Sequence, residues 1–184
     1  MVKQYRTAKD AKGLKPGDQA PMFEAVDLHG EPYKLAEALC AGPVVLIFYR
    51  GQWCPFCNRH LKKLEGSLSQ IYDKGASVIA VSPEKSEFLA RTAEKTGVSF
   101  RLLHDENYYI SDAFDLTFRP SAPHRLMYNT ILGAQLEQAH SDDSQQLPIP
   151  ATYIINTDGI IVWRHFDPDY KKRSSIKDIL KHIP

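Results

Sequence analysis

Residues 43–49, Pro-Val-Val-Leu-Ile-Phe-Tyr, form an unbroken apolar run rich in β-branched side chains. A run of that length with no polar alternation is expected of a strand covered on both faces, as in a parallel sheet lying between helices. It leads directly into Arg50-Gly51-Gln52-Trp53-Cys54-Pro55-Phe56-Cys57. Beyond it, Cys57, Leu61, Leu64, Leu68 and Ile71 recur at spacings of three and four, one stripe of a helix expected to end near Gly75. Residues 77–81 repeat the buried-strand pattern. Ser82-Pro83 then open a second helix, with Phe88, Leu89, Thr92, Ala93 and Thr96 on its inner face and Gly97 as its stop. With a short third strand over 100–103, the order is that of βαβ units.

The flanks complete an α/β domain. Gly17, Pro21 and His29-Gly30 punctuate a stretch in which Phe23, Ala25, Leu28, Tyr33 and Leu35 read as an N-terminal β-hairpin. From 105 to 147 the pattern loosens into short helical pieces, 108–114 and 123–132, and a polar run, 140–146, which reads as an insertion. Residues 151–155 and 160–166 form a second hairpin through Asn156-Thr157-Asp158-Gly159, and 176–183 a closing helix. The expected organisation is a basic arm over 1–14 followed by one domain over 15–184. The arm carries Lys3, Arg6, Lys9 and Lys12, with Lys15 just beyond it. It lacks the apolar stretch of a secretory signal, so it is expected to be solvated and the chain cytoplasmic.

Composition narrows the partners. A formal charge of +1 gives no field to steer the chain onto nucleic acid or an anionic membrane. No apolar run approaches the ~18–20 residues that a membrane span needs. Small neutral molecules or other proteins remain.

The chain has 3 cysteines, too few for a disulfide scaffold, and two of them stand as C-x-x-C, a spacing used for redox catalysis or for metal. Cys54 falls where a strand gives way to a helix, and the free N–H groups and positive dipole end there are expected to favour its thiolate and present it as the attacker. Pro55 suits the first helical turn. Cys57 starts the apolar stripe and is expected to lie deeper, within disulfide reach. Cys54-x-x-Cys57-x-x-His60 also has the spacing of half a zinc site, but no second cysteine pair completes four ligands. Redox chemistry without metal or cofactor is therefore the leading expectation, and a zinc-binding or scaffold module the alternative. Cys40 reads as a small buried hydrophobe, Trp53 as packing over the sulfur, and Arg50 as a group that lowers the Cys54 pKa. Arg164 and Lys171-Lys172-Arg173 read as solvent-facing, the latter as a helix start.

W-C-x-x-C at a strand-to-helix junction resembles the thioredoxin superfamily. The wider F-Y-R-G-Q-W-C-P-F-C-N, with Pro16-Gly17-Asp18, Ala20-Pro21-x-Phe23 and Asp167-Pro168-Asp169-Tyr170 followed by Arg173, resembles the peroxiredoxin-like branch of the alkyl hydroperoxide reductase and thiol-specific antioxidant family. That resemblance implies a thioredoxin-like fold, a central mixed β-sheet flanked by helices. It also implies a thiol peroxidase in which Cys54 attacks peroxide, Cys57 resolves it as a disulfide, and thioredoxin or glutaredoxin restores the pair; a homodimer is compatible with it. Thioredoxin-type protein disulfide exchange is the alternative activity. Pro150, in Leu147-Pro148-Ile149-Pro150-Ala151-Thr152, corresponds to the cis-proline of such folds. Peroxiredoxins place Thr or Ser three residues before the attacking cysteine and Arg just before the strand that Pro150 precedes. Gly51 and Pro150 stand there instead, which passes peroxide activation to Arg50, Arg119, Arg125 or Arg164. Thioredoxin's buried Asp, six residues before the first cysteine, is here Phe48.

Overall fold

A computed structural model describes residues 4–184. In chain order its elements are β1 (Glu24–Asp27), β2 (Pro32–Lys34), α1 (Leu35–Ala41), β3 (Val44–Phe48), α2 (Pro55–Glu65), α3 (Leu68–Asp73), β4 (Ser77–Ser82), α4 (Ser86–Thr96) and β5 (Arg101–His104). There follow α5 (Tyr109–Ala113), β6 (Thr117–Phe118), α6 (Ala122–Thr130), α7 (Leu136–Ala139), β7 (Leu147–Pro148), β8 (Ala151–Ile155), β9 (Ile161–Phe166) and α8 (Ile176–His182). Seven strands form one mixed sheet in the order β2-β1-β5-β4-β3-β8-β9. β3, β4 and β5 run parallel, while β8 is antiparallel to β3, with Phe48 opposite Ala151 and Ile47 opposite Thr152.

The central position of β3 explains its composition. Val45 and Ile47 project into one hydrophobic layer, with Leu61, Leu64, Leu102 and Ile154. Val44, Leu46 and Phe48 project into the other, with Leu35, Leu39, Phe114 and Tyr153. Both faces are covered, so no position on the strand can be polar. The aromatic side chains of the second layer interlock: Phe48 lies 5.1 Å from Phe114 and 6.1 Å from Tyr153, the latter edge-on at 88°.

Five sequence expectations require correction. The helix expected to run from Cys57 to near Gly75 is two, α2 and α3, broken at Gly66-Ser67; Gly66 weakens the helix locally, while Leu61, Leu64, Leu68 and Ile71 all stay buried. Cys40, expected inside, is exposed on α1, whose buried residues are Leu35 and Leu39. The Ile149–Pro150 peptide is not cis, because the described residues contain no cis peptide bond. The N-terminal segment is not a solvated arm. Ala11 is buried in the second layer, Arg6 pairs with Asp115 at 2.6 Å, and the Lys12 N–H donates to the same carboxylate. Arg164, expected in solvent, holds the segment by donating from one Nη1 to the carbonyls of Lys12, Gly13 and Leu14 at 2.6–3.0 Å. Gly13 has φ +64°, and any side chain there would run into the Tyr153 hydroxyl and the Phe166 ring, so only glycine fits. Lys3 lies outside the described residues.

Phe48→Ala removes a fully buried ring that packs against both Phe114 and Tyr153. The expected loss is about 3–5 kcal/mol of unfolding free energy, measured by urea denaturation.

Candidate active site

Tyr49 and Arg50 follow directly on the C-terminal end of β3, and a tight turn comes next, closed by the Cys54 N–H donating to the Gly51 carbonyl at 3.2 Å. Cys54 is the N-cap of α2, in extended conformation, and its carbonyl accepts the first helical bond from the Asn58 N–H. Pro55 opens the helix, where its missing N–H leaves no bond unmade. Cys57, one turn in, points back beneath β3, and its Sγ accepts from the Arg50 N–H at 3.5 Å. Both cysteines are free thiols, each with 0% exposure. The expectation that Cys54 is presented to solvent is therefore incorrect: the turn places Trp53 and Arg50 over it.

Arg50 is itself only 2% exposed. Its guanidinium lies 3.9 Å from the ring of Tyr170, 4.8 Å from Trp53 and 5.1 Å from Tyr128. It donates to the Tyr128 hydroxyl at 3.1 Å and to Cys54 Sγ at 3.3 Å. Arg173, between β9 and α8, donates from Nη2 to Cys57 Sγ at 3.1 Å and from Nε to the Tyr170 carbonyl at 2.8 Å. Lys171-Lys172-Arg173, expected as a solvated helix start, precede the helix, which begins at Ile176, and Arg173 turns inward. Of the arginines considered for the site, Arg119 bonds the Ser144 carbonyl, Arg125 the Pro120 carbonyl and Arg164 the N-terminal segment. Only Arg50 among them reaches a sulfur, and Arg173 was missed. The sole sequence signal for it was the D-P-D-Y…R resemblance, which carries no address in space.

The helix start does not decide the ionisation of Cys54. Burial, then its hydrogen bond to Cys57 and the charge there, push the Cys54 thiol well above its ordinary range, with Arg50 opposing. For Cys57, burial acts in the same direction but is outweighed by the bond from Cys54 and by the Arg173 and Arg50 charges, so this thiol lies well below the ordinary range. The charges of Arg173 and Arg50 thus favour the thiolate on Cys57.

Gly51 has a packing reason. A β-carbon there would collide with Glu84 Oε1 and Trp53 Nε1. Glu84 is fully buried and accepts the Gln52 N–H at 2.9 Å. His60 faces away from the sulfurs, bonded through Nε2 to the Ser174 hydroxyl at 3.0 Å. No group of three His, Cys, Asp or Glu side chains suited to a metal occurs among the described residues. Beside the Arg50 cover opens a cavity of about 570 Å³, lined by Phe118, Tyr128, Ile149, Pro150 and Tyr170 and walled on one side by Thr7, Ala8 and Lys9.

A family model described as AhpC/TSA matches residues 16–164. The chain belongs to the AhpC/TSA family. Within reach of that family, Peroxiredoxin Bcp of Escherichia coli (strain K12) is 33% identical over 101 residues, 55% of this chain and 64% of the relative. The match therefore spans slightly less than two thirds of that protein. Thiol-disulfide oxidoreductase ResA of Halalkalibacterium halodurans is 29% identical over 113 residues, 61% of this chain and 63% of the relative. The crystal structure of Peroxidoxin BcpB from Mycobacterium tuberculosis has a TM-score of 0.71 over 92% of this chain and 96% of that one, at 22% identity. That likeness establishes the thioredoxin-like fold, with its central mixed sheet, flanking helices and N-terminal hairpin.

Gly51→Ala is expected to lose about 1–3 kcal/mol of stability in urea denaturation, because neither Glu84 nor Trp53 has room to withdraw. A second expectation concerns pH. Burial pushes the Glu84 carboxyl up to about 8, with the Gln52 N–H opposing, from 4.5 when unfolded. The folded chain keeps a proton that the unfolded chain releases, so the stabilisation is complete below the unfolded value and is lost as pH rises towards 8. Buried His60 and His140, each depressed to about 3, act in the opposite sense at acid pH. The difference between wild type and Glu84→Gln isolates the carboxyl. Between about pH 5 and about pH 8, wild type is expected to lose on the order of a few kcal/mol relative to the variant in urea unfolding.

Proposed function

We propose that this chain is a thiol-dependent peroxidase that reduces hydrogen peroxide or organic hydroperoxides through Cys54 and Cys57. One sulfur takes the peroxide oxygen as a sulfenic acid, the other condenses with it to a disulfide, and a thioredoxin- or glutaredoxin-type dithiol restores both thiols. The supporting observation is the seating of the pair: two fully buried free thiols under a guanidinium and aromatic cover, beside an apolar cavity. A small peroxide can pass such a cover. The guanidinia supply donors where negative charge develops as the O–O bond breaks. Kinship with Peroxiredoxin Bcp supports the same reading. The reaction calls for no metal, flavin or nucleotide. A reducing compartment such as the cytoplasm suits the reduced cysteine pair that the proposed chemistry needs. Leu126 and Ile131, 65% and 77% exposed, offer an apolar surface for a second copy.

The alternative, protein thiol–disulfide exchange, draws support from the W-C-x-x-C spacing and from the likeness to ResA. Burial of both sulfurs in the reduced form favours the smaller substrate, since a protein disulfide would need the cover to open before the first attack.

Free thiols counted before and after one equivalent of hydrogen peroxide, with the rate followed by stopped flow, test the reading. Fast loss of the Cys54 and Cys57 thiols together, with the disulfide seen by mass spectrometry, is expected. Slow oxidation combined with rapid reduction of insulin disulfides would overturn it.

A further inference from the structure

The two sulfurs of the pair are not equivalently surrounded. Cys54 Sγ accepts one hydrogen bond from the protein, from Arg50 Nη2 at 3.3 Å. Cys57 Sγ accepts from Arg173 Nη2 at 3.1 Å and from the Arg50 N–H at 3.5 Å. A sulfur anion gains from each such donor, most from a charged one, and a guanidinium this close to a sulfur out of water interacts with it strongly. Arg173 is fixed for that task by its Nε bond to the Tyr170 carbonyl, and Tyr170 stacks in turn on Arg50. The remaining polar groups facing Cys57 are Tyr49, from the end of β3, and Glu84, after β4; burial holds both towards their neutral forms.

We propose that Arg173 makes Cys57, and not Cys54, the resting thiolate and the first attacking sulfur, with Cys54 as proton donor and then as resolving thiol. The attacking role rests on the peroxidase reading. A lone pair of the Cys57 thiolate forms a bond to the distal peroxide oxygen as the O–O bond breaks. The leaving oxygen departs with the bonding pair as hydroxide or alkoxide and takes the proton of the Cys54 thiol. Cys54, now a thiolate, attacks the Cys57 sulfenic sulfur; the S–S bond forms, the S–O bond breaks and hydroxide leaves. The two cysteines lose two electrons, the peroxide gains them, and an external dithiol returns them to the disulfide. Arg173 thereby counts as a catalytic residue, since it touches the reacting sulfur.

The roles are opposite to those expected from a C-x-x-C pair at a helix start, so single-cysteine variants separate them. Ultraviolet thiolate absorbance of the reduced protein is titrated with pH for Cys54→Ser, Cys57→Ser, Arg173→Gln and Arg173→Lys. Folding of each is checked by circular dichroism, and sulfenic acid is trapped with dimedone after peroxide. The thiolate is expected to persist below neutral pH in Cys54→Ser and to vanish in Cys57→Ser, with dimedone on Cys57. Arg173→Gln is expected to raise the apparent thiol pKa by about 1 unit or more and to slow the peroxide reaction about tenfold, with Arg173→Lys lying between. A low-pH thiolate retained in Cys57→Ser, or an unshifted titration in folded Arg173→Gln, would overturn the assignment. A Cys57 thiolate that stays inert to peroxide would uphold the charge placement while overturning the attack step and the peroxidase reading together.

Discussion

A guanidinium removed from water is tolerated only where aromatic faces and hydrogen-bond acceptors replace its hydration. Arg50 meets both conditions, lying against Tyr170, Trp53 and Tyr128 and donating to the Tyr128 hydroxyl and to Cys54 Sγ. Each of these neighbours comes from a different part of the chain. Trp53 belongs to the turn after β3, Tyr128 to α6, and Tyr170 to the segment after β9. The long excursion between β5 and β8 and the C-terminal segment are therefore drawn to the same cation. The cysteine pair beneath it is buried because this cover closes over it.

Much of the scaffold was legible because its signals are local and strong. The runs at β3, β4 and β8 read as strands because both sheet faces are covered, and the stripe after Cys57 read as helix because one face packs. Pro55 and the N-cap position of Cys54 followed from helix-end stereochemistry. The break at Gly66 was hidden because the apolar stripe continues across it, in step with the core and indifferent to one lost turn. Cys40 was misplaced because an isolated cysteine carries no periodicity.

The environment of the site was much less legible, for a physical reason. The pKa of a thiol depends on charges within a few ångströms, and the decisive one on Cys57 comes from a residue 116 positions along the chain. A basic run such as Lys171-Lys172-Arg173 looks the same in sequence whether all three side chains face water or one turns inward. The helix start, the only electrostatic element visible locally, acts on both sulfurs and so cannot discriminate between them. Burial, unreadable from the motif itself, then penalises two adjacent negative charges and leaves room for one.

The N-terminal segment shows how a surface feature comes to bear on the same centre. Arg6 bonds Asp115, Arg164 gathers the carbonyls of Lys12 to Leu14, and the Arg119 N–H donates to the Arg6 carbonyl. These bonds run the segment along the mouth of the cavity, so Thr7, Ala8 and Lys9 become one wall of it and Arg50 part of another. A small molecule entering there meets a mostly apolar lining, with the charges of Lys9, Arg119 and Arg50 set into it. It loses its hydration at the wall, and the donors that face the sulfurs then act on it in a medium of low polarity, where each is worth more than in water. Under the proposed chemistry, the N-terminal segment and the arginine cover have one physical purpose: to keep water from competing for donors that are needed only as the peroxide bond breaks.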